Sequence, residues 1–171
     1  MTLTIDDVRG RLKAFTDKKI LVVGDLMLDR FIYGAVERIS PEAPVPVVRV
    51  SSEKNMPGGA SNVAWNIQSI GGRAAVAGVV GADAAAKSLL ELLASRNVNA
   101  DAVAVFEDVT TTVKTRVIAE RQQVVRVDRD YLEAYPAAGM AEFCELVSRA
   151  VKKCDGVIIE DYGKGVVQQA V

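Results

Sequence analysis

Three groups of residues have types and spacings suited to chemistry on a polar, anionic ligand. The first is Gly24-Asp25-Leu26-Met27-Leu28-Asp29, two carboxylates four positions apart directly after an apolar run. An ionised carboxylate is an acceptor for several hydrogen bonds, which suits the hydroxyls of a polyol. A plainer role is open to the same residues, with Asp25 capping a turn and Asp29 pairing with Arg30 at the surface. The second group, Met56-Pro57-Gly58-Gly59-Ala60-Ser61-Asn62, sets two glycines at a helix entrance. There the backbone can approach a ligand closely, and the unpaired N–H groups of the first turn face outward. Asn62 offers a donor and an acceptor to a pair of hydroxyls; an ordinary glycine turn is the alternative. The third group is Lys114, Arg116 and Arg126, cations at alternate positions of extended segments. They either hold a phosphate through charge-assisted hydrogen bonds or are solvated edge-strand charges.

Other chemistries lack their residues. The chain has no histidine, and Cys144 and Cys154 are too few and too unpatterned for a zinc site or a disulfide framework, so both read as reduced packing residues and no metal ligands are assigned. The first strand is followed by G-D-x-x-x-D instead of G-x-G-x-x-G, which argues against a dinucleotide fold of the Rossmann type.

Elements that would position these groups follow from periodicity. Ile5, Val8, Leu12 and Phe15 recur at helical spacing after Thr4, with Asp6 and Asp7 favouring the positive helix end. Lys19 to Val23 reads as a strand buried on both faces. A helix from Ala60 to Ile70 closes at Gly71-Gly72. A strand near Ala74 to Val80, a helix from about Asp83 to Arg96 and a strand near Ala102 to Phe106 come next. A helix over 137–151 then leads to a strand over 155–159. Alternating strands and helices predict an α/β fold with a mainly parallel sheet and helices on both faces.

Two stretches break that rhythm with period-two alternation, about 30–50 and about 112–128, and predict a small second sheet inserted into the main fold. Lys114 and Arg116 share one of its faces, as do Arg126 and Asp128, while Val113, Val117, Val125 and Val127 point the other way. Lys18-Lys19 and Lys152-Lys153 read as solvated element ends, and Trp65 as helix packing. The last strand is followed by a glycine turn and only six more residues, Val166 to Val171, an unfinished βαβ unit, so a single incomplete domain over 1–171 is expected.

Bulk composition agrees with one domain: 171 residues, 50% hydrophobic. The 21 basic residues against 22 acidic ones give a net charge of -1, which provides no general attraction to nucleic acid or membrane, so an anionic ligand must meet a local basic cluster. The start lacks a signal pattern and no apolar run reaches membrane-spanning length, so a soluble cytoplasmic protein is expected.

Taken in order, G-D-x-x-x-D after the first strand, P-G-G-A-S-N at a helix start, the inserted β-clasp and D-Y-G-K-G after a later strand resemble the ribokinase-like (PfkB) sugar kinases. The segments VVGDLMLDRFIYG, RISPEAPVPVVRV, PGGASNVAWNI, TTVKTRV and QQVVRVD resemble the branch of that family that phosphorylates D-glycero-D-manno-heptose 7-phosphate at its anomeric hydroxyl, for ADP-heptose and lipopolysaccharide synthesis. The resemblance implies that Asp29, Gly58, Gly59 and Asn62 bind sugar hydroxyls, with Asp25 nearby. It also implies that Asp161 and Lys164 edge the cleft, and that the clasp serves as lid and homodimer interface. Lys114, Arg116 and Arg126 are the candidates for the substrate's existing phosphate. Glu160 stands where relatives usually carry serine.

ATP and magnesium belong to the complete enzyme. The N-x-x-E segment tied to magnesium and the G-A-G-D segment that supplies the anion hole and general base do not occur here, so no catalytic base is assigned and the chain is expected to be inactive alone. Another sugar (fructose, ribose or 2-keto-3-deoxygluconate) and a non-catalytic sugar-binding module are the alternatives.

Overall fold

The structure, a computed structural model, describes residues 3–168. Its main sheet holds four parallel strands in the order β5-β4-β1-β8, formed by Lys19–Gly24 (β1), Arg73–Gly81 (β4), Asn99–Phe106 (β5) and Gly156–Glu160 (β8). Leu21, Val22 and Val23 of β1 are all buried, as an apolar strand covered on both sides requires. Helices α2 (Ala60–Ser69) and α3 (Ala84–Ala94) pack on one face through Ala64, Ile67, Leu89 and Leu93. Helix α4 (Ala137–Val151) packs on the other through Met140, Phe143 and Val147. The expected layered α/β architecture is therefore present.

Helix α1 (Ile5–Phe15) forms as its spacing predicts, with a reciprocal Thr4–Asp7 capping box. It buries none of its residues, however; Ile5, Val8 and Leu12 are exposed, and Phe15 alone packs against the core.

The second sheet has the order β3-β2-β6-β7, from Leu26–Ile39 (β2), Pro46–Gly59 (β3), Thr112–Ala119 (β6) and Gln122–Arg129 (β7). It is more continuous with the main sheet than alternation suggests. Only Asp25 separates β1 from β2, and β3 runs directly into α2. Asp29, read from sequence as lying just past the first strand, is thus inside β2, paired with Met56 of β3 and Lys114 of β6. The β6–β7 hairpin turns at Glu120 and Arg121, both at positive φ (49° and 72°), the backbone sense that matches strand twist in a two-residue turn.

Register sorts the faces. Asp29 pairs with Lys114 and Lys114 with Asp128, while Phe31 pairs with Arg116 and Arg116 with Arg126, so all six share one face. On the reverse face Ile32 pairs with Val117 and Val117 with Val125, two residues before Val127.

Candidate functional site

The carboxyl end of β1, the roots of β2 and β3, and the entrance of α2 meet at one place because Asp25 ties them. Its N–H donates to the Glu160 carbonyl at 3.2 Å, and its own carbonyl accepts from the Ala60 N–H at 3.0 Å. Its side chain is 1% exposed and accepts backbone N–H bonds from Tyr162 (2.7 Å), Lys164 (3.1 Å) and Val166 (3.3 Å). Both carboxylate oxygens are therefore engaged by the chain itself. Expected beside the sugar, Asp25 instead carries the plainer role of a turn-binding carboxylate, one that fixes the loop after β8.

Asp29 lies on the open face of the second sheet, half-buried, and accepts from Arg116 Nη1 at 2.6 Å. That guanidinium also lies 5.3 Å from the centre of the Phe31 ring. Gly58 faces Asp29 so closely that a Cβ there would come within 3.0 Å of the carboxylate and 2.7 Å of Met27. Gly59, at φ +55°, would press a Cβ to 2.4 Å from the Asp25 carbonyl. Close backbone approach thus demands Gly59, and the Met27 and Asp29 side chains crowd position 58. No side chain caps α2. Asn62 is exposed in the first turn, three residues past Gly59, and makes no side-chain hydrogen bond among the described residues. Asp29, Gly58, Gly59 and the α2 entrance are hence brought together.

The cations are placed on the same face but are charge-paired. Lys114 donates to Asp128 at 3.0 Å, and Arg126 donates to the other oxygen of Asp128 at 2.9 Å. The Lys114 bond, followed by its charge and that of Arg126, outweighs desolvation and holds the Asp128 carboxyl below its ordinary range. Each cation has a carboxylate partner, with Lys114 and Arg126 sharing Asp128 and Arg116 on Asp29.

Beyond β8, Asp161 accepts from the Gly163 N–H at 2.8 Å, closing its own turn, and Lys164 reaches Asp130 at 2.8 Å. Sequence reasoning missed Asp130, whose second oxygen is buried without a partner, and Ser61, whose hydroxyl is likewise buried and unpartnered. Nothing local marks either residue: Asp130 follows a charged strand end and Ser61 sits in a small-residue run, and only the fold sequesters them. Tyr135 packs on Tyr131 and beside Gly165. Burial first, then the Asp25 charge and Tyr131, pushes its phenol up to about 12.

A parallel α/β sheet from whose carboxyl edge a separate mixed sheet rises over a glycine-lined helix mouth defines a ribokinase-like sugar kinase architecture. The pattern of the pfkB family of carbohydrate kinases matches residues 17–159, and the chain belongs to that family. It is 40% identical over 168 residues to the "Bifunctional protein HldE" of Koribacter versatilis, covering 98% of this chain and 34% of that protein. It is 44% identical over 169 residues to that of a Caulobacter species, again 98% and 34%. The chain therefore spans about a third of the curated relatives it matches. Among solved structures, a ribokinase-titled protein of Agrobacterium tumefaciens superposes with TM-score 0.60 at 21% identity, covering 84% of this chain and 44% of that one. Escherichia coli phosphofructokinase-2 does so with TM-score 0.60 at 22% identity, covering 88% and 47%. These two show the same fold.

Proposed function

We propose that this chain is the sugar-binding half of a kinase that transfers the γ-phosphoryl group of ATP to the anomeric hydroxyl of D-glycero-D-manno-heptose 7-phosphate. The observation that carries the reading is the convergence of Asp29, Gly58 and the uncapped α2 entrance on the face that also bears Lys114, Arg116 and Arg126. In this reading Asp29 exchanges Arg116 for sugar hydroxyls, and Asn62 and the α2 amides hold the neighbouring ones. The substrate's phosphate displaces Asp128 from Lys114 and Arg126. The unpartnered oxygen of Asp130 accepts one further hydroxyl, and Lys164, held by Asp130, edges the cleft.

ATP with magnesium supplies the transferable phosphoryl group in the complete enzyme. Among the described residues no three acidic or cysteine side chains converge as a metal cage. The residues named above act on the sugar side: they bind, orient and exclude water. The general base and anion hole belong to the rest of the relatives' length, and the chain alone turns over no ATP. Among the described residues no helix is long and apolar enough to cross a membrane. The reading sets the reaction in the cytoplasm.

The deciding experiment compares this chain with a version extended through the rest of the kinase domain, on heptose 7-phosphate, fructose, ribose and 2-keto-3-deoxygluconate. The extended protein alone should turn over, with heptose 7-phosphate preferred. Turnover by the isolated chain would overturn the division of labour. A second reading, a non-phosphorylated sugar, gains support from the carboxylate pairing of all three cations, which leaves a single net positive charge on the face for a phosphate. Preference for fructose or ribose in the same panel would establish it.

The reverse face of the clasp, where Val125 and Val127 are 47% and 57% exposed, is proposed to pair with a second copy of the chain. Val127→Asp should convert a sedimenting dimer to monomer; an unchanged dimer would rule this face out.

A further inference from the structure

The strands of the main sheet are parallel, so their first residues all lie at the edge opposite Asp25. A cavity of about 700 Å³ opens there, between the strand starts and the end of α4. That volume is in the range of small-molecule sites, roughly 300–1,000 Å³. It lies about 20 Å along β1 from the sugar-binding face, by the rise of ~3.3 Å per residue, and shares no lining residue with it.

Its rim carries four cations from three elements: Lys19 opens β1, Arg73 opens β4, and Arg149 and Lys153 come from the last turn of α4 and just beyond. One carboxylate, Asp101, lines the cavity with them, and it is engaged by the Asn99 amide at 2.7 Å. Arg149 and Lys153 make no salt bridge among the described residues, and Arg73 has only an exposed pair with Asp17 at 3.5 Å. Asp155 nearby accepts from Lys18 at 3.2 Å and from the Lys19 backbone.

Cations at a helix end commonly just complement its carbonyl dipole, which accounts for Arg149 and Lys153. It does not account for Lys19 and Arg73, which begin strands. The floor is a second, independent feature. Ala75, Ala102 and Ala150, all on the α4 side of the sheet, line it where larger apolar residues would fill the space, as interiors normally are filled. A cationic rim over an alanine floor suits one ligand chemistry: an acidic head group on a compact apolar body.

We infer that this cavity is a second ligand site, for a small organic anion bearing a phosphate, sulfonate or carboxylate on an apolar body. It uses none of the residues on which the sugar reading depends, so either can fail without the other.

The test is amide chemical-shift mapping on the isotope-labelled chain titrated with 1-naphthyl phosphate, inorganic phosphate and neutral 1-naphthol. Naphthyl phosphate should shift the amides of Lys19, Ala74, Ala102 and Ala150 in a saturable way, and both halves of the probe should bind at least tenfold more weakly. Arg149→Gln with Lys153→Gln should weaken binding by tenfold or more with the thermal melt retained; Lys19→Gln, on a different element, is the independent variant should that pair melt early. Lys114→Gln with Arg126→Gln should leave these shifts unchanged. Absence of shifts at the strand starts, equal binding of naphthol, or binding undiminished in both sets of cavity variants would each overturn the assignment.

Discussion

Asp25 and Asp29 look equivalent in the sequence, four positions apart in one motif, yet they do different work. Asp25 is sealed in and saturated by three backbone N–H donors; Asp29 is partly open and holds the Arg116 guanidinium. Replacing Asp25 by alanine leaves three donors without an acceptor in a buried place, at about 1–3 kcal/mol for each such orphan. Asp25→Asn keeps one oxygen for Tyr162 and Lys164 and turns an amide toward Val166. The melting midpoint should therefore fall in the order wild type, Asn, Ala, with faster amide exchange over residues 162–166; equal midpoints for the two variants would contradict the triple contact. Tyr135 gives a pH test of the same corner. Its phenol is raised from 10.0 to about 12, so the folded state prefers the neutral form. The resulting stabilisation is complete below the ordinary value and lost as pH climbs through the raised one. Tyr135→Phe should abolish that alkaline decline in stability and remove the phenolate absorbance step near pH 12.

At the scale of elements, capping and packing separate cleanly in α1. The Thr4–Asp7 box is complete, and the two bonds to Thr4 hold the Asp7 carboxyl below its ordinary range. The helix nonetheless buries no residue. Thr4→Ala should fray α1 by about 1 kcal/mol, the usual worth of such a cap, seen as faster exchange in its first turn, while the global melting midpoint stays put. In α3 the corresponding cap also reaches across the fold. Burial works to raise the Asp83 carboxyl, but the Ala86 and Thr111 amides prevail and hold it low, joining α3 to the approach of β6.

For the whole molecule, β8 is the strand of the main sheet with the least cover. Val157, Ile158 and Ile159 are 44%, 36% and 63% exposed, and among the described residues β8 pairs with β1 alone. An apolar strand with a free edge is a template for association. Ile159→Lys should suppress concentration-dependent aggregation in sedimentation runs without touching the proposed clasp dimer. If aggregation persists unchanged, the adhesive surface lies elsewhere.

Periodicity alone determined most of the elements. Helical spacing marked α1 after Thr4 and α2 after Gly58-Gly59, helical patterns also marked α3 and α4, apolar runs marked β1 and β4, and period two marked the clasp, because each pattern reflects which sides of an element are covered. The motif order was likewise enough to indicate the family, and Gly58 and Gly59 marked the helix entrance, where the fold crowds the first with the Met27 and Asp29 side chains and the second with the Asp25 carbonyl. Which partners each polar group meets was decided only in three dimensions. The partners of Asp25 lie 137 to 141 positions away, Arg116 lies 87 from Asp29, and Lys164 lies 34 from Asp130. Charge and hydrogen-bonding capacity are legible in a residue's type, but whether they are spent within the chain or kept for a ligand depends on distances of a few ångströms between segments that the sequence holds far apart.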